Sequence, residues 1–132
     1  MATVNVLCAV DVEGALTSNN LGANVYMVDT NKYAGSGAEG TAELKTTLNI
    51  DDIIVWTVAP IDPGTNVEIQ SFSGTAVSDG YINPVQDPLS PQSFESRFEA
   101  PGGTASGSSF QYTMSLSFEG KVMTFDPFLT VK

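Results

Sequence analysis

Short stretches in which apolar and polar residues alternate constrain the fold of this chain more than any other feature of its sequence. Every second residue of segment 110–118 is large and apolar, and the residues between them are Gln, Thr or Ser. Segments 4–12 and 42–48 alternate in a similar way. Successive side chains of a β-strand point to opposite faces, so this pattern predicts strands with one buried face. No long stretch keeps the 3.6-residue period of a helix.

Turn signals divide the chain into roughly eight short strands, a spacing typical of sandwiches and barrels. Glu119-Gly120 separates two alternating segments and predicts a tight hairpin. Residues 53–58 are apolar on both faces, which predicts a central strand. Segment 13–24 predicts a turn region, and three prolines between positions 83 and 91 predict a surface connection. We therefore predict an all-β fold, with a single antiparallel, jelly-roll-like β-sandwich domain over residues 1–132.

The chain contains no histidine and one cysteine, Cys8. Its composition therefore excludes a Ser-His-Asp or Cys-His catalytic arrangement. Cys8 has apolar neighbours, among which a thiol stays neutral, so we interpret it as a small core residue. A lone cysteine cannot form an internal disulfide, which favours a reducing cytoplasm. Met1 leads directly into an alternating segment, so we expect no signal peptide, and leaderless export stays open.

Carboxylates remain as candidates for acid–base chemistry. Asp11 and Glu13 would share one face of a strand, Asp51-Asp52 precedes the central strand, and Asp126 follows the last hairpin. Glycoside hydrolysis needs two carboxylates across a cleft, a pairing that a sequence cannot show. We interpret these acids as turns and strand ends, and we predict no enzyme and no catalytic residues. EF-hand spacing is missing, but acidic turns that converge in space leave a calcium site open.

The formal net charge is −10, from five Lys and Arg against 15 Asp and Glu. The basic residues are scattered singly, so no cluster offsets repulsion from phosphate groups. We therefore expect no nucleic-acid partner and no binding to anionic membranes. No segment approaches the ~18 apolar residues of a membrane helix, so we expect no membrane insertion.

Aromatic residues beside acids and amides are the candidates for ligand binding. Trp56 shares a face with apolar strand residues, which favours core packing. Tyr33 and Tyr81 lie in polar, glycine-containing segments and are better candidates for exposed platforms. Segment 79–83 combines an acid, an aromatic ring and an amide. We predict that the ligand-binding residues are Tyr33, Asp79, Tyr81 and Asn83.

Four segments, in order along nearly the whole chain, carry a family resemblance. They are the apolar strand with an acidic end at 6–13, the glycines and strand at 35–44, the Asp-apolar-Trp strand at 52–56, and the ending at 126–131. Together they resemble the AidA/PixA family of bacterial inclusion-body proteins. This resemblance implies a bacterial β-protein associated with cytoplasmic inclusions, quorum-regulated expression or host association, without established catalytic residues. The chain departs from the family in being shorter around 73–93 and in having only four methionines.

These observations predict a non-enzymatic protein that acts by binding or self-assembly, in the cytoplasm and in inclusions. Exposed sheet edges also favour pairing between copies of the chain. The second hypothesis is a lectin-like carbohydrate-binding module, with or without calcium. Its glycan ligand would contact the tyrosine-containing loops.

Overall fold

The computed structural model describes residues 2–132, which form short strands joined by turns and two short helices. The strands are β1 (Thr3–Val10), β2 (Val25–Asp29), β3 (Lys45–Leu48), β4 (Ile53–Pro60), β5 (Glu68–Ser73), β6 (Val85–Asp87), β7 (Ser90–Arg97), β8 (Ser109–Gln111), β9 (Thr113–Phe118), β10 (Lys121–Phe125) and β11 (Phe128–Val131). The helices are α1 (Val12–Ser18) and α2 (Thr75–Ser78), and 3-10 turns span Gly22–Asn24 and Lys32–Ala34. Within residues 2–132, no helix has the length and apolar character that crossing a membrane requires.

The strands form three sheets. A five-stranded sheet has the order β2-β1-β4-β7-β6, and two three-stranded sheets have the orders β10-β9-β5 and β3-β11-β8. The predicted β-rich fold is confirmed. The prediction of antiparallel pairing throughout is wrong, because β1 pairs with β4, and β11 with β3, in parallel. Alternation along a strand reports which face is buried and carries no information on the direction of the neighbouring strand.

The inner face of the five-stranded sheet contributes to one contiguous cluster of buried residues. Trp56 of β4 is fully buried there, and its indole Nε1 donates a hydrogen bond to the hydroxyl of Tyr112 at 3.0 Å. Phe72 of β5 packs on the same indole, with 4.6 Å between ring centroids. Cys8 of β1 is also fully buried, and burial raises the pKa of its thiol to about 12. The predictions that Trp56 and Cys8 are core residues are confirmed.

The segment after β1 differs from its prediction. The first strand ends at Val10, and residues 12–18 form α1 rather than a turn region. Asp11 begins the helix because its side chain accepts a hydrogen bond from the backbone N–H of Gly14 at 2.9 Å. Asp11 and Glu13 therefore do not share a strand face, as the alternating pattern had predicted. A helix of seven residues is too short for its period to stand out in the sequence.

The proline-rich segment 83–91 lies at the surface, as predicted, but the prediction that it is only a connection is wrong. It contains β6 and the start of β7, which pair in an antiparallel hairpin. The turn between them is held by Asp87, whose side chain accepts from the backbone N–H of Leu89 at 2.9 Å. The prolines avoid the paired positions of this hairpin, because Pro84 precedes β6, Pro88 lies in the turn, and Pro91 lies at the start of β7 before its pairing with β4 begins.

Two sequence predictions about strands are confirmed. Segments 113–118 and 121–125 pair in an antiparallel hairpin across Glu119-Gly120. The strand that is apolar on both faces, β4, lies in the middle of the five-stranded sheet between β1 and β7.

Candidate functional site

Tyr33 is the most exposed of the predicted ligand residues. It lies in the second 3-10 turn and is 96% exposed, with the Lys32 ammonium 5.6 Å from the centre of its ring. Asn31 ties this turn to β3, because its side-chain amide donates to the carbonyl of Thr47 at 2.6 Å. Tyr33 is therefore an exposed aromatic residue in a turn that is held close to β3.

The other three predicted residues follow α2. The side chains of Asp79 and Asn83 are exposed, whereas Tyr81 is half-buried and packs on Phe110 of β8, with 4.4 Å between ring centroids. In the β3-β11-β8 sheet, β11 lies in the middle. Tyr33 lies near the edge formed by β3, and Tyr81 lies near the edge formed by β8. Asp79, Tyr81 and Asn83 lie in one segment after α2, and Tyr33 lies in a separate 3-10 turn. Ligand binding by the four residues stays a prediction.

A polar cleft of about 540 Å³ opens where the connection between β10 and β11 meets two segments from the first half of the chain. Asn20 comes from the turn after α1, and Glu43 precedes β3. Gln111 ends β8, Asp126 lies between β10 and β11, and Phe128 begins β11. Two carboxylates, two amides and two aromatic rings, those of Phe125 and Phe128, therefore line the same cleft.

Hydrogen bonds within the chain orient several of these groups. The Thr113 hydroxyl donates to Asp126 Oδ1 at 2.7 Å. The backbone N–H of Ala23 donates to Asn20 Oδ1 at 3.2 Å, which turns the amide nitrogen of Asn20 away from that contact. Such fixed donors and acceptors suit recognition of a ligand that carries several hydroxyl groups.

The cleft does not have the composition of a metal centre. Across residues 2–132, no three side chains of His, Cys, Asp or Glu form a group that could hold a metal ion. Beside the cleft, the Lys45 ammonium lies 5.6 Å from the centre of the Phe128 ring. The arrangement favours a polar organic ligand that forms hydrogen bonds with the carboxylates and amides.

Sequence reasoning missed this cleft. Of its lining residues, only Asp126 was considered, and it was interpreted as a strand end. The other carboxylate and the two amides, at positions 43, 20 and 111, come from distant segments that no motif connects. Only the packing of these segments brings them together, so no signal in the sequence could have found the site.

Other carboxylates hold the backbone. Asp52 is 3% exposed, and its two oxygens accept from the backbone N–H groups of Ala2 and Asn49, each at 2.9 Å. Asp11 caps α1. The interpretation of these acids as parts of turns and element ends agrees with these contacts.

Asp29 and Glu39 form a carboxyl pair at the end of β2. Glu39 Oε1 accepts from the backbone N–H of Asp29 at 3.0 Å, and Asp29 Oδ1 accepts from that of Asn31, also at 3.0 Å. The second oxygens, Asp29 Oδ2 and Glu39 Oε2, are buried without a partner among residues 2–132. Burial and then the neighbouring Asp29 carboxyl raise the pKa of Glu39.

Replacing Glu39 with glutamine is expected to stabilise the protein at pH 7 by about 1 kcal/mol, because the new amide can donate to Asp29 Oδ2. The pKa of Glu39 is raised in the folded state, so protonation of this carboxyl stabilises the fold. This contribution to stability is fully present below the ordinary pKa of glutamate, about 4.3, and is lost as the pH rises through the raised pKa. Urea unfolding at pH 4 and pH 7 checks this prediction. The advantage of Glu39→Gln should appear at pH 7 and shrink at pH 4, and a less stable variant at pH 7 would contradict it.

Comparison with known proteins identifies a family and a shared fold. A family profile described as "Domain of unknown function (DUF8788)" matches residues 2–124. No curated protein matches the chain. Among solved structures, the chain is similar to the crystal structure of the inclusion body protein PixA from Burkholderia cenocepacia J2315, with a TM-score of 0.68 and 14% sequence identity. The similarity covers 98% of this chain and 93% of that chain. It establishes a shared fold, so the AidA/PixA resemblance is confirmed at the level of the fold.

Proposed function

The chain belongs to the DUF8788 family, and from this premise and its PixA-like fold we propose that it is a non-enzymatic bacterial protein that acts by self-assembly, as in inclusion bodies. The observation that carries the proposal is the similarity to an inclusion body protein over 98% of the chain. Large exposed apolar side chains, such as Leu7, Val28 and Val85, supply surface that association would remove from water. The proposed location is the cytoplasm, in inclusions.

Sizing of the purified chain tests this proposal. Sedimentation velocity from low to high concentration should show species larger than the monomer, and electron microscopy of producing cells should show particles. Both results are expected because exposed apolar side chains favour association as concentration rises. A strict monomer at the highest concentration, in cells without particles, would overturn the self-assembly proposal.

A second candidate function is carbohydrate binding. The polar cleft supports it, because Glu43, Asp126 and the amides of Asn20 and Gln111 surround one opening with groups that bind hydroxyls. The ligand here would be a glycan, with or without calcium. This location differs from the predicted Tyr33 and Tyr81 loops, so the two positions are competing sites for the same function.

A glycan array with and without calcium tests the second candidate. If a glycan binds, Glu43→Gln and Gln111→Ala should weaken binding at the cleft, whereas Tyr33→Ala should weaken it at the loops. Glu68→Gln on β5 is the matched control, because it makes the same change at an exposed position outside the cleft lining. An array without binding in either condition would count against the carbohydrate hypothesis.

We also propose that the sheets stack as the layers of a β-sandwich, with the jelly-roll-like arrangement predicted from the sequence. Support comes from contacts that leave β4 for other sheets. Trp56 reaches Phe72 of β5 and the hydroxyl of Tyr112, which lies between β8 and β9. Measured coupling between Trp56 and Tyr112 tests the stacking.

A further inference from the structure

The outer face of the five-stranded sheet carries several exposed apolar side chains among polar ones. Leu7 of β1 lies directly opposite Val28 of β2, and these side chains are 44% and 42% exposed. Val55 of β4 continues the same face beside β1. We name this surface the outer sheet face; its residues are Thr3, Asn5, Leu7, Ala9, Tyr26, Val28, Ile53, Val55, Thr57, Ala59, Val85, Ser93, Glu95 and Arg97. Contiguous apolar surface of this kind marks an interaction site.

The outward face of the β10-β9-β5 sheet has a different character. Ser115 of β9 lies between Thr124 of β10 and Ser71 of β5, and Ser117 lies opposite Glu68. Hydroxyl side chains therefore cover most of that face, with Val122 as an isolated apolar residue. Apolar exposure is thus a property of the five-stranded sheet and not of every sheet surface in this protein.

Charge limits which partner the outer sheet face can accept. The chain carries a net charge of −10, so two copies that approach through most of their surface repel each other. The outer sheet face carries only Glu95 and Arg97 as charged residues, and these cancel. A second copy of the chain meets this face without net repulsion, whereas a basic partner would be drawn to the acidic surfaces elsewhere.

The size of the face suits a second copy. Five strands at about 4.8 Å spacing and an average strand length of about 21 Å give a footprint of about 500 Å². Two such faces bury about 1,000 Å² together, which reaches the lower limit for a specific interface. A single helix or extended peptide would cover only part of this width, but an identical sheet packed face to face covers all of it.

We propose that the outer sheet face is the surface through which two copies of this chain pair, as the first step of assembly. This inference rests on the proposed function of self-assembly and names its interface. Leu7 of β1 and Val55 of the middle strand β4 contribute apolar side chains to the contact, and Val28 extends this apolar surface to the edge strand β2. Glu95 and Arg97 lie on β7, opposite Val55 and Ile53 of the middle strand β4.

Charge insertion at matched positions tests the interface. Val28→Lys and Leu7→Lys would each bury an ammonium group in the proposed contact. Each should therefore raise the dissociation constant of the dimer by about tenfold or more. Val122→Lys is the control, because Val122 is 50% exposed on β10 and the substitution changes the net charge by the same amount. Sedimentation velocity measures all three, and circular dichroism establishes that each variant is folded. Val28→Ala, which adds no charge, should weaken pairing by a smaller factor and serves if a lysine variant fails to fold.

The outcomes separate the two proposals. If wild type and Val122→Lys pair and the outer-face variants do not, both proposals hold. If the outer-face variants pair as tightly as wild type, this interface is wrong while self-assembly stands. If wild type is monomeric at every concentration, the proposed function fails and the interface fails with it.

Discussion

Replacing Trp56 with alanine is expected to lower the free energy of unfolding by about 3–5 kcal/mol. Trp56 is fully buried in the middle strand of the five-stranded sheet, and Phe72 and Tyr112 pack against its ring. Alanine removes these contacts and leaves a cavity that the surrounding sheets can fill only in part. Urea unfolding followed by far-ultraviolet circular dichroism measures the change, since the variant lacks the chain's only tryptophan.

Tyr33→Ala is the control for loss of a large aromatic side chain. Tyr33 is 96% exposed, so its removal should change the free energy of unfolding by less than about 0.5 kcal/mol. A loss below about 0.5 kcal/mol for Trp56→Ala would mean that its ring is not packed in the core, since typical surface substitutions have effects of that size.

The hydrogen bond at Trp56 has its own signature. Tyr112→Phe keeps the ring but removes the acceptor of the buried indole N–H, which should cost about 1–3 kcal/mol. Trp56→Phe removes the donor of the same hydrogen bond. The loss of stability in the double variant should therefore be smaller than the sum of the losses in the two single variants. That coupling energy, from a double-mutant cycle, is the measurement required to test contact between the layers.

Replacing Gly74 with alanine is expected to destabilise the protein by about 3 kcal/mol. Gly74 has φ 92° and ψ −178°, a conformation that is almost exclusive to glycine. A β-carbon at this position would also lie 3.1 Å from the backbone of both Tyr112 and Thr113. Since these backbone atoms cannot move aside as a flexible side chain does, conformational strain and crowding act together. Thermal and urea unfolding measure the loss.

Gly80→Ala separates these two causes. Gly80 also has a positive φ, 77°, but a β-carbon there would meet no atom within 4 Å. Its replacement should therefore cost only the conformational strain, about 1–2 kcal/mol. If Gly80→Ala and Gly74→Ala lose equal stability, the close approach of the chain near Tyr112 makes no contribution and this part of the prediction is wrong.

Much of the core could be predicted because strand periodicity depends only on local geometry. Alternation placed Cys8 and Trp56 inside, and both are fully buried. The hairpin across Glu119-Gly120 followed from local turn chemistry. The helix after Asp11 and the β6–β7 hairpin could not be predicted. The helix is too short for its period to be visible, and the prolines of the hairpin argue against strands although they lie before β6, in the turn and at the start of β7.

The candidate surfaces were less accessible to sequence reasoning. Exposure of Tyr33 followed from its polar segment, but the half-burial of Tyr81 depends on Phe110, which lies 29 positions later. The polar cleft joins Asn20, Glu43 and Asp126. The outer sheet face depends on the order of the strands in its sheet. Two adjacent strands of that sheet, β1 and β4, are parallel and lie far apart in the chain.

By itself, the sequence determined a β-rich chain with a buried tryptophan, a neutral core thiol and an acidic overall charge, because strand period, apolar character and charge are properties of single residues and their immediate neighbours. Only the tertiary structure decided which strands are parallel, where Asn20, Glu43 and Asp126 meet, and that the outer sheet face stays uncovered. These features arise from long-range pairing, which depends on how whole strands pack against one another.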